Sequence, residues 1–241
     1  MALSRVGIVC ALASEARHLG PARKLTDPLG SLSDGTLVAV TGMGRSVASK
    51  GARSLIDAGA TALASFGMAG GLDPTLRPGD VLVPSEVAEL QGPCFNTAFD
   101  WSEQVSSVVG TQVHRGRLLT SPRAVASVAD KADLFRATGA AAVDMESAAI
   151  AQVAQQQSLP FIAVRVIVDS AGDVLPRAVT VAADREGHLH IWRLIGALAL
   201  APSELAPLIR LARRYQAANR SLATVARTGA LSPPSTQSRL S

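Results

Sequence analysis

The sequence predicts one α/β domain, in which a central mixed, mostly parallel twisted sheet is flanked by helices. Two observations support this fold class. Short, nearly continuous apolar runs alternate along the chain with Ala-rich segments of helical character. The apolar runs are also typical of parallel strands that helices cover on both faces. Ligands bind such sheets beyond the carboxyl ends of the strands, so we expect a functional site at that edge.

The individual elements follow from the same alternation. Apolar, β-branched runs predict strands at residues 6–12, 36–41, 61–66, 80–87, 115–119 and 161–168. Helical spacing of apolar residues predicts helices from 14–18 onward and at 45–58, 122–131, 145–157 and 202–227. Residues 1–227 therefore form one predicted domain. The Ser- and Pro-rich residues 228–241 are predicted to be a disordered tail.

Positive charge is concentrated at the end of the chain. The formal net charge is +4, but residues 205–241 contain six arginines and no acidic residue. The rest of the chain then carries 17 basic and 19 acidic residues, a net charge of −2. A nearly neutral body with only 3% aromatic residues argues against a nucleic-acid partner.

The predicted last helix, 202–227, is amphipathic. Its apolar residues recur at helical spacing, and its arginines fall on the opposite side: Leu208, Leu211, Tyr215, Leu222 and Val225 against Arg210, Arg213, Arg220 and Arg227. Two interpretations stay open. The helix packs on the body with its arginines in water, or the arginines rest on anionic lipid and bring the protein to the inner membrane surface.

The sequence favours a cytoplasmic protein without a metal. Its apolar runs are shorter than the roughly 20 residues of a membrane span, and two cysteines are more typical of reduced thiols than of a disulfide framework. Residues 1–16 resemble a short signal peptide, but a first buried strand explains them better. The four histidines offer no metal-ligand spacing beyond the pair His188 and His190, which is more typical of a loop.

Acidic residues mark the expected site. The run "AAVDMESAAIAQ" (141–152) sets Asp144 and Glu146 among apolar residues, although charged carboxylates are almost never fully buried unless they are paired. Glu15 follows the first predicted strand, and Asp169 follows the last. Clustering of such residues at one edge of the sheet is a stronger signal than any one of them.

Two glycine-rich segments also follow strands. "GMGR" (42–45) lacks the third glycine of a dinucleotide fingerprint and the Gly-Lys-Ser/Thr of a Walker loop, so its glycines could serve only as turns. "GMAGG" (67–71) has three glycines within five residues. Such a segment lets backbone N–H groups approach a ligand closely.

These motifs, in this order, resemble the nucleoside phosphorylase superfamily, in particular the 5′-methylthioadenosine/S-adenosylhomocysteine nucleosidases. The matching segments cover about 5–173 and read "GIVCALASEA", "VTGMGRSVASKGA", "FGMAGGLDPTLRPGDVLVPSEV", "AVDMESAAIAQVA" and "LPFIAVRVIVDSAGD". The chain is also similar to the bacterial hopanoid-associated phosphorylases, through "SFGMAGGLDPTLRPGD" and an Arg-rich C-terminal helix.

The narrower resemblance implies cleavage of the N-glycosidic bond of an adenine nucleoside with a hydrophobic 5′ substituent. The substrate would be similar to adenosylhopane, and adenine would leave by hydrolysis or phosphorolysis in hopanoid biosynthesis. One alternative is a methylthioadenosine/S-adenosylhomocysteine nucleosidase. Another, of a different class, is a non-catalytic nucleoside- or lipid-binding protein on the same scaffold.

The resemblance also implies roles for individual residues. Asp169 would protonate N7 of the leaving purine, and Glu15 would activate the attacking water. Glu146 would accept hydrogen bonds from ribose hydroxyls, and further substrate contacts would come from Met145, Met68, Gly70, Gly71, Arg165 and Leu119. The residues alone leave other roles open: Asp169 could be a helix N-cap, and Arg165 could serve to pair with a buried carboxylate.

The nucleophile stays open between water and phosphate. Gly44 and Arg45 are candidates for binding phosphate as a co-substrate, although an exposed first-turn arginine is the plainer role for Arg45. The resemblance implies no other cofactor, and it implies a homo-oligomer of unspecified size. Val168 and Met68 stand where the nucleosidases have serines, so the site is more apolar than theirs and suits a bulky apolar 5′ group.

Overall fold

The computed structural model describes residues 5–25, 28–109, 113–174 and 205–233. Helices and strands alternate along most of this range, which gives the α/β pattern that the sequence predicts. The elements, in chain order, are β1 (Val6–Cys10), α1 (Ala13–Ala16) with a 3-10 turn (Arg17–Leu19), β2 (Arg23–Lys24), β3 (Leu29–Ser31), β4 (Leu37–Val40), α2 (Arg45–Asp57), β5 (Ala62–Gly71), β6 (Val81–Leu82), β7 (Glu86–Glu89), β8 (Cys94–Asn96), α3 (Phe99–Val109), β9 (Val113–His114), β10 (Arg117–Thr120), α4 (Val128–Thr138), β11 (Ala142–Asp144), α5 (Ser147–Gln156), β12 (Phe161–Asp169) and α6 (Leu205–Arg227).

Strand β5 is the centre of the sheet. It pairs in parallel with β1 along its first half and with β12 along most of its length, and its last residues pair antiparallel with β11. Parallel pairs also join β1 to β4 and β10 to both β11 and β7. The short strands β2, β3 and β8 add antiparallel pairs at the periphery. The predicted mixed sheet flanked by helices is therefore confirmed.

The two faces of the sheet form separate apolar cores. Alternate residues of β12 point to opposite faces: Ala163 and Ile167 pack with α2 and α5, whereas Val164 and Val166 pack with α3 and α6. Because helices cover both faces, β5 and β12 are buried along almost their whole lengths. This explains why their sequences read as continuous apolar runs.

Several predicted boundaries differ from the structure. The predicted strand 61–66 extends to Gly71, so "GMAGG" is strand rather than loop. The predicted strand 80–87 is divided between β6 and β7. The predicted helix 122–131 begins only at Val128, because the Ser127 hydroxyl caps it by accepting a hydrogen bond from the Asp130 N–H at 3.0 Å. Helix α3 and the strands β2, β3, β8, β9 and β11 were not predicted.

Helix α6 is amphipathic in its described part. Ala218, Leu222 and Val225 are buried against the sheet, whereas the four arginines of the predicted basic face are exposed: Arg210, Arg213, Arg220 and Arg227. Residues 228–233 of the predicted tail turn back onto the body and bury Leu231, while residues 234–241 lie outside the described residues. Within the described ranges, no helix is long and apolar enough to cross a membrane.

Candidate active site

A cavity of about 260 Å³ lies at the carboxyl ends of the central strands. Glu15, Glu146 and Asp169 all line it, although 130 residues lie between the first and the second in the chain. The rest of the wall is mainly apolar and includes Leu12, Met43, Met68, Ala124, Val125, Val143, Met145, Val168 and Tyr215. Carboxyl groups from distant segments thus meet in one largely apolar cavity.

Glu15 is held by backbone amides at the start of α1. Its carboxylate accepts hydrogen bonds from the N–H of Leu12 and of Met68, each at 2.9 Å. Burial is the main cause that raises the pKa of Glu15, and these backbone hydrogen bonds oppose it. Gly67 makes this position available, because a Cβ there would lie 2.6 Å from the Glu15 Oε1 atom.

Glu146 lies at the N-terminus of α5, directly after β11. Its Oε1 atom accepts a hydrogen bond from the Gly44 N–H at 2.8 Å, so "GMGR" contacts the site through its backbone. Burial, followed by the negative charge of Asp144, raises the pKa of Glu146 to about 7. The group can therefore change protonation state near neutral pH.

Arg165 lies beneath the cavity rather than in its wall. Its guanidinium donates to the Asp144 carboxylate at 3.0 Å and to the hydroxyls of Ser65 and Ser147 at 2.6 and 2.9 Å. Thr120 donates a further hydrogen bond to Asp144 at 2.8 Å. Buried charges need such partners, so this network ties β5, β10, β11 and β12 together below Glu146.

Asp169, the last residue of β12, forms an ion pair with Lys131 of α4. Burial is the main cause that raises the pKa of Asp169, and the Lys131 ammonium acts against it. No described helix begins at Asp169, so within the described ranges this residue is not a helix N-cap. Nothing in the sequence had indicated Lys131, which belongs to a helix of mixed polar and apolar residues.

The structure separates some predicted site residues from the cavity. Leu119 is buried in a small apolar cluster with Leu72 and Val143 and does not line the cavity; Val125, beyond the end of β10, lines it instead. Gly70 and Gly71 both pair with β11, and of the two only Gly70 lines the cavity. The prediction of a direct substrate contact is therefore wrong for Leu119, whose side chain points into the core.

Arg45, a candidate for binding phosphate, also lies outside this cavity. It forms an ion pair with Glu89 and a hydrogen bond to Gln152 at 3.2 Å. Together with Glu89, Thr120 and Ser121 it lines a second cavity of about 400 Å³, and Met145 contributes to both cavities. In this arrangement the positive charge of Arg45 is already paired.

The described residues contain no group of three or more His, Cys, Asp or Glu side chains that could hold a metal ion. His188 and His190, the pair noted in the sequence, lie outside the described ranges. Both cysteines are free thiols, Cys10 buried and Cys94 exposed. The described cavity is lined by the carboxyl groups of Glu15, Asp144, Glu146 and Asp169, by Arg123 and by mainly apolar residues. Carboxyl groups in such an environment suit proton transfer and the stabilisation of positive charge.

Comparisons with known proteins agree with this geometry. The chain is 33% identical over 135 residues to the 5′-methylthioadenosine/S-adenosylhomocysteine nucleosidase of Bacillus velezensis, covering 44% of this chain and 55% of that protein. The chain thus spans about half the length of such curated relatives. The corresponding nucleosidase of Pseudoalteromonas translucida is 25% identical over 205 residues, covering 72% of this chain and 87% of that one.

Solved structures show the same fold. The Neisseria meningitidis nucleosidase in complex with methylthio-immucillin-A superposes with a TM-score of 0.66 at 21% identity, over 95% of this chain and 96% of that one. A Helicobacter pylori nucleosidase gives 0.65 at 20% identity, over 72% of this chain and 88% of that one. The family model of the phosphorylase superfamily matches residues 5–190, and the chain therefore belongs to that superfamily.

Proposed function

We propose that this protein cleaves the N-glycosidic bond of a 5′-substituted adenine nucleoside and releases the base. The observation that supports the proposal is the convergence of Glu15, Glu146 and Asp169 on one mainly apolar cavity. The relatives named as methylthioadenosine/S-adenosylhomocysteine nucleosidases favour the same reaction, with substrates of that class as the first to test.

Each carboxyl group has a distinct role in this proposal. Breaking the bond leaves positive charge on the sugar and a pair of electrons on the base, so an acid beside the base and anions beside the sugar lower the barrier. Asp169, with its raised pKa, gives its proton to the departing base. Glu146 accepts hydrogen bonds from the ribose hydroxyls, and Glu15 takes the proton of the attacking water.

Water is the proposed nucleophile. Glu15 lies in the cavity wall, where it can act as a base, whereas Arg45 is paired with Glu89 and faces the second cavity. Phosphate binding by Arg45 would need its ion pair with Glu89 to open, while Arg123 lies in the wall of the first cavity and is a second basic residue to test. Measuring adenine release with and without added phosphate distinguishes hydrolysis from phosphorolysis, because only phosphorolysis depends on phosphate.

A second candidate function is the cleavage of a nucleoside that carries a bulky apolar 5′ group, of the kind found in adenosylhopane. The apolar wall formed by Leu12, Met43, Met68 and Val168 favours such a substituent. The exposed arginines of α6 would then lie against anionic lipid, because the same helix places Tyr215 in the cavity wall. Binding to anionic vesicles that falls as salt rises would support this candidate; equal binding to neutral vesicles would contradict it.

The experiment is to incubate the purified protein with a panel of 5′-substituted adenosines and to measure free adenine by chromatography. The panel runs from methylthioadenosine and S-adenosylhomocysteine to long alkyl substituents. Asp169→Asn should lower kcat by about 10²–10⁴, the typical contribution of a general acid, whereas the exposed-site control Gln216→Ala should not. Nucleoside binding without release of adenine from any substrate would instead identify a binding protein. Sedimentation of the same sample tests the proposed homo-oligomer.

A further inference from the structure

Lys131 is fully buried on α4, whose other residues are exposed or only partly buried. It is the only buried residue among the eleven of α4, all of which the structure describes. Lysine is almost never fully buried unless it is paired, and the N-terminal end of a helix disfavours positive charge. Since both effects oppose this position, specific partners must hold the ammonium group there.

Those partners surround Asp169. The Lys131 Nζ atom donates to Asp169 Oδ2, to the backbone oxygen of Ser170 at 2.8 Å and to that of Asp173 at 3.0 Å. Three donors thus meet three acceptors, which satisfies the ammonium group. Lys131 itself does not line the cavity, whereas Asp169 does.

Two further charged groups act on Asp169. Asp173, in the turn after β12, raises the pKa of Asp169, and Arg214 of α6 lowers it. Arg214 is itself bound to Asp173 at 2.6 Å. These two charges largely oppose each other at Asp169, so the Lys131 ammonium is the direct charged partner of its carboxyl group.

We propose that Lys131 is a positioning residue for Asp169: it binds one carboxyl oxygen and the following turn, and so directs the other oxygen at the leaving base. This inference rests on the proposed function. In the reaction, the O–H bond of Asp169 breaks, an N–H bond forms on the base, and the electron pair of the glycosidic bond goes to the base. The carboxylate that remains is neutralised by the ammonium of Lys131, which makes Asp169 a stronger acid.

The test compares Lys131→Met and Lys131→Arg with the wild-type protein, and uses the exposed Lys50→Met as the matched control. Lys131→Met should lower kcat about 100-fold, because a reacting group that moves by about 1 Å costs that much, with KM changed by no more than roughly 3-fold. Its activity should persist to higher pH, since a carboxyl group without the ammonium holds its proton more tightly. Lys131→Arg should recover most of kcat.

A double-variant cycle separates positioning from a merely structural role. In the Asp169→Asn background, which leaves no charge to pair, Lys131→Met should lower kcat little further. A full 100-fold loss in that background, or an unchanged pH profile in Lys131→Met, would overturn the inference. If the wild-type protein releases no base, the proposed function fails, and carbon NMR of the Asp169 carboxyl still tests the pairing: an unchanged pKa in Lys131→Met would refute it.

Discussion

Gly67→Ala should displace Glu15 while leaving the fold intact. A Cβ at this position would lie 2.6 Å from Glu15 Oε1 and 2.8 Å from its carboxyl carbon. Relaxed contacts need about 3.5 Å, so the carboxylate must retreat by roughly 1 Å. The backbone of Gly67 is ordinary strand, since it is not among the residues with positive φ, and alanine meets no conformational barrier there.

The expected losses of stability and of rate in Gly67→Ala follow from the contacts that this movement breaks. The hydrogen bond from the Met68 N–H to Oε1, now 2.9 Å, would stretch beyond about 3.5 Å and cease to be a hydrogen bond. Losing a hydrogen bond to a charged group costs about 1.5–3 kcal/mol. Displacing the proposed base by roughly 1 Å costs about 100-fold in rate.

The assay is adenine release under saturating substrate, together with urea unfolding followed by circular dichroism. Gly172→Ala is the matched control, because a Cβ there has no atom within 4 Å. We expect a kcat about 100-fold lower for Gly67→Ala and a normal value for Gly172→Ala. A folded Gly67→Ala protein with wild-type kcat would refute the assignment of Glu15 to the reaction.

Three further predictions concern stability. Arg165→Met should cost about 3–5 kcal/mol of unfolding free energy, since it leaves Asp144 buried and unpaired; Asp144→Asn should recover part of this loss, and a loss below about 1 kcal/mol would contradict the network. The raised pKa of Glu146 makes the folded protein bind more protons than the unfolded chain between pH 4.5 and about 7. Stability should therefore fall as pH rises through that window, and Glu146→Gln should reduce the fall by on the order of 3 kcal/mol; identical pH profiles would argue against it. Leu222→Ala should cost about 2–5 kcal/mol because this side chain is fully buried, whereas the exposed Arg220→Met should change the unfolding free energy by less than about 0.5 kcal/mol.

The sequence was sufficient to predict the sheet and the convergence of three acids, because apolar strands and polar residues after their ends leave a clear local pattern. The sequence was not sufficient to predict the full length of β5, because the three glycines of "GMAGG" would normally be taken as loop residues. They lie in a strand here, and at Gly67 the carboxyl group of Glu15 occupies the space that a side chain would fill. Lys131 left no signal either, since a lysine in a helix is usually solvated and only the folded chain brings it to Asp169.

The assignment of Leu119 failed for a related reason. A strand pattern does not tell at which residue the chain leaves the sheet, and the cavity is lined by residues just beyond that point, such as Ala124 and Val125. The boundary of a strand is therefore the least predictable part of a site built at strand ends, whereas the order of the strands and their apolar character are the most predictable parts.

The central position of β5 has a consequence for how the protein folds. β5 pairs with β1, β11 and β12, so Phe161 must find Leu63 across nearly a hundred intervening residues. Sheets that depend on such long-range pairings fold slowly, because the entropy cost of closing a long loop comes before the strand contacts that stabilise it. No early fragment emerging from the ribosome can contain the cavity, because its wall includes Asp169 at the end of β12 and Tyr215 of α6.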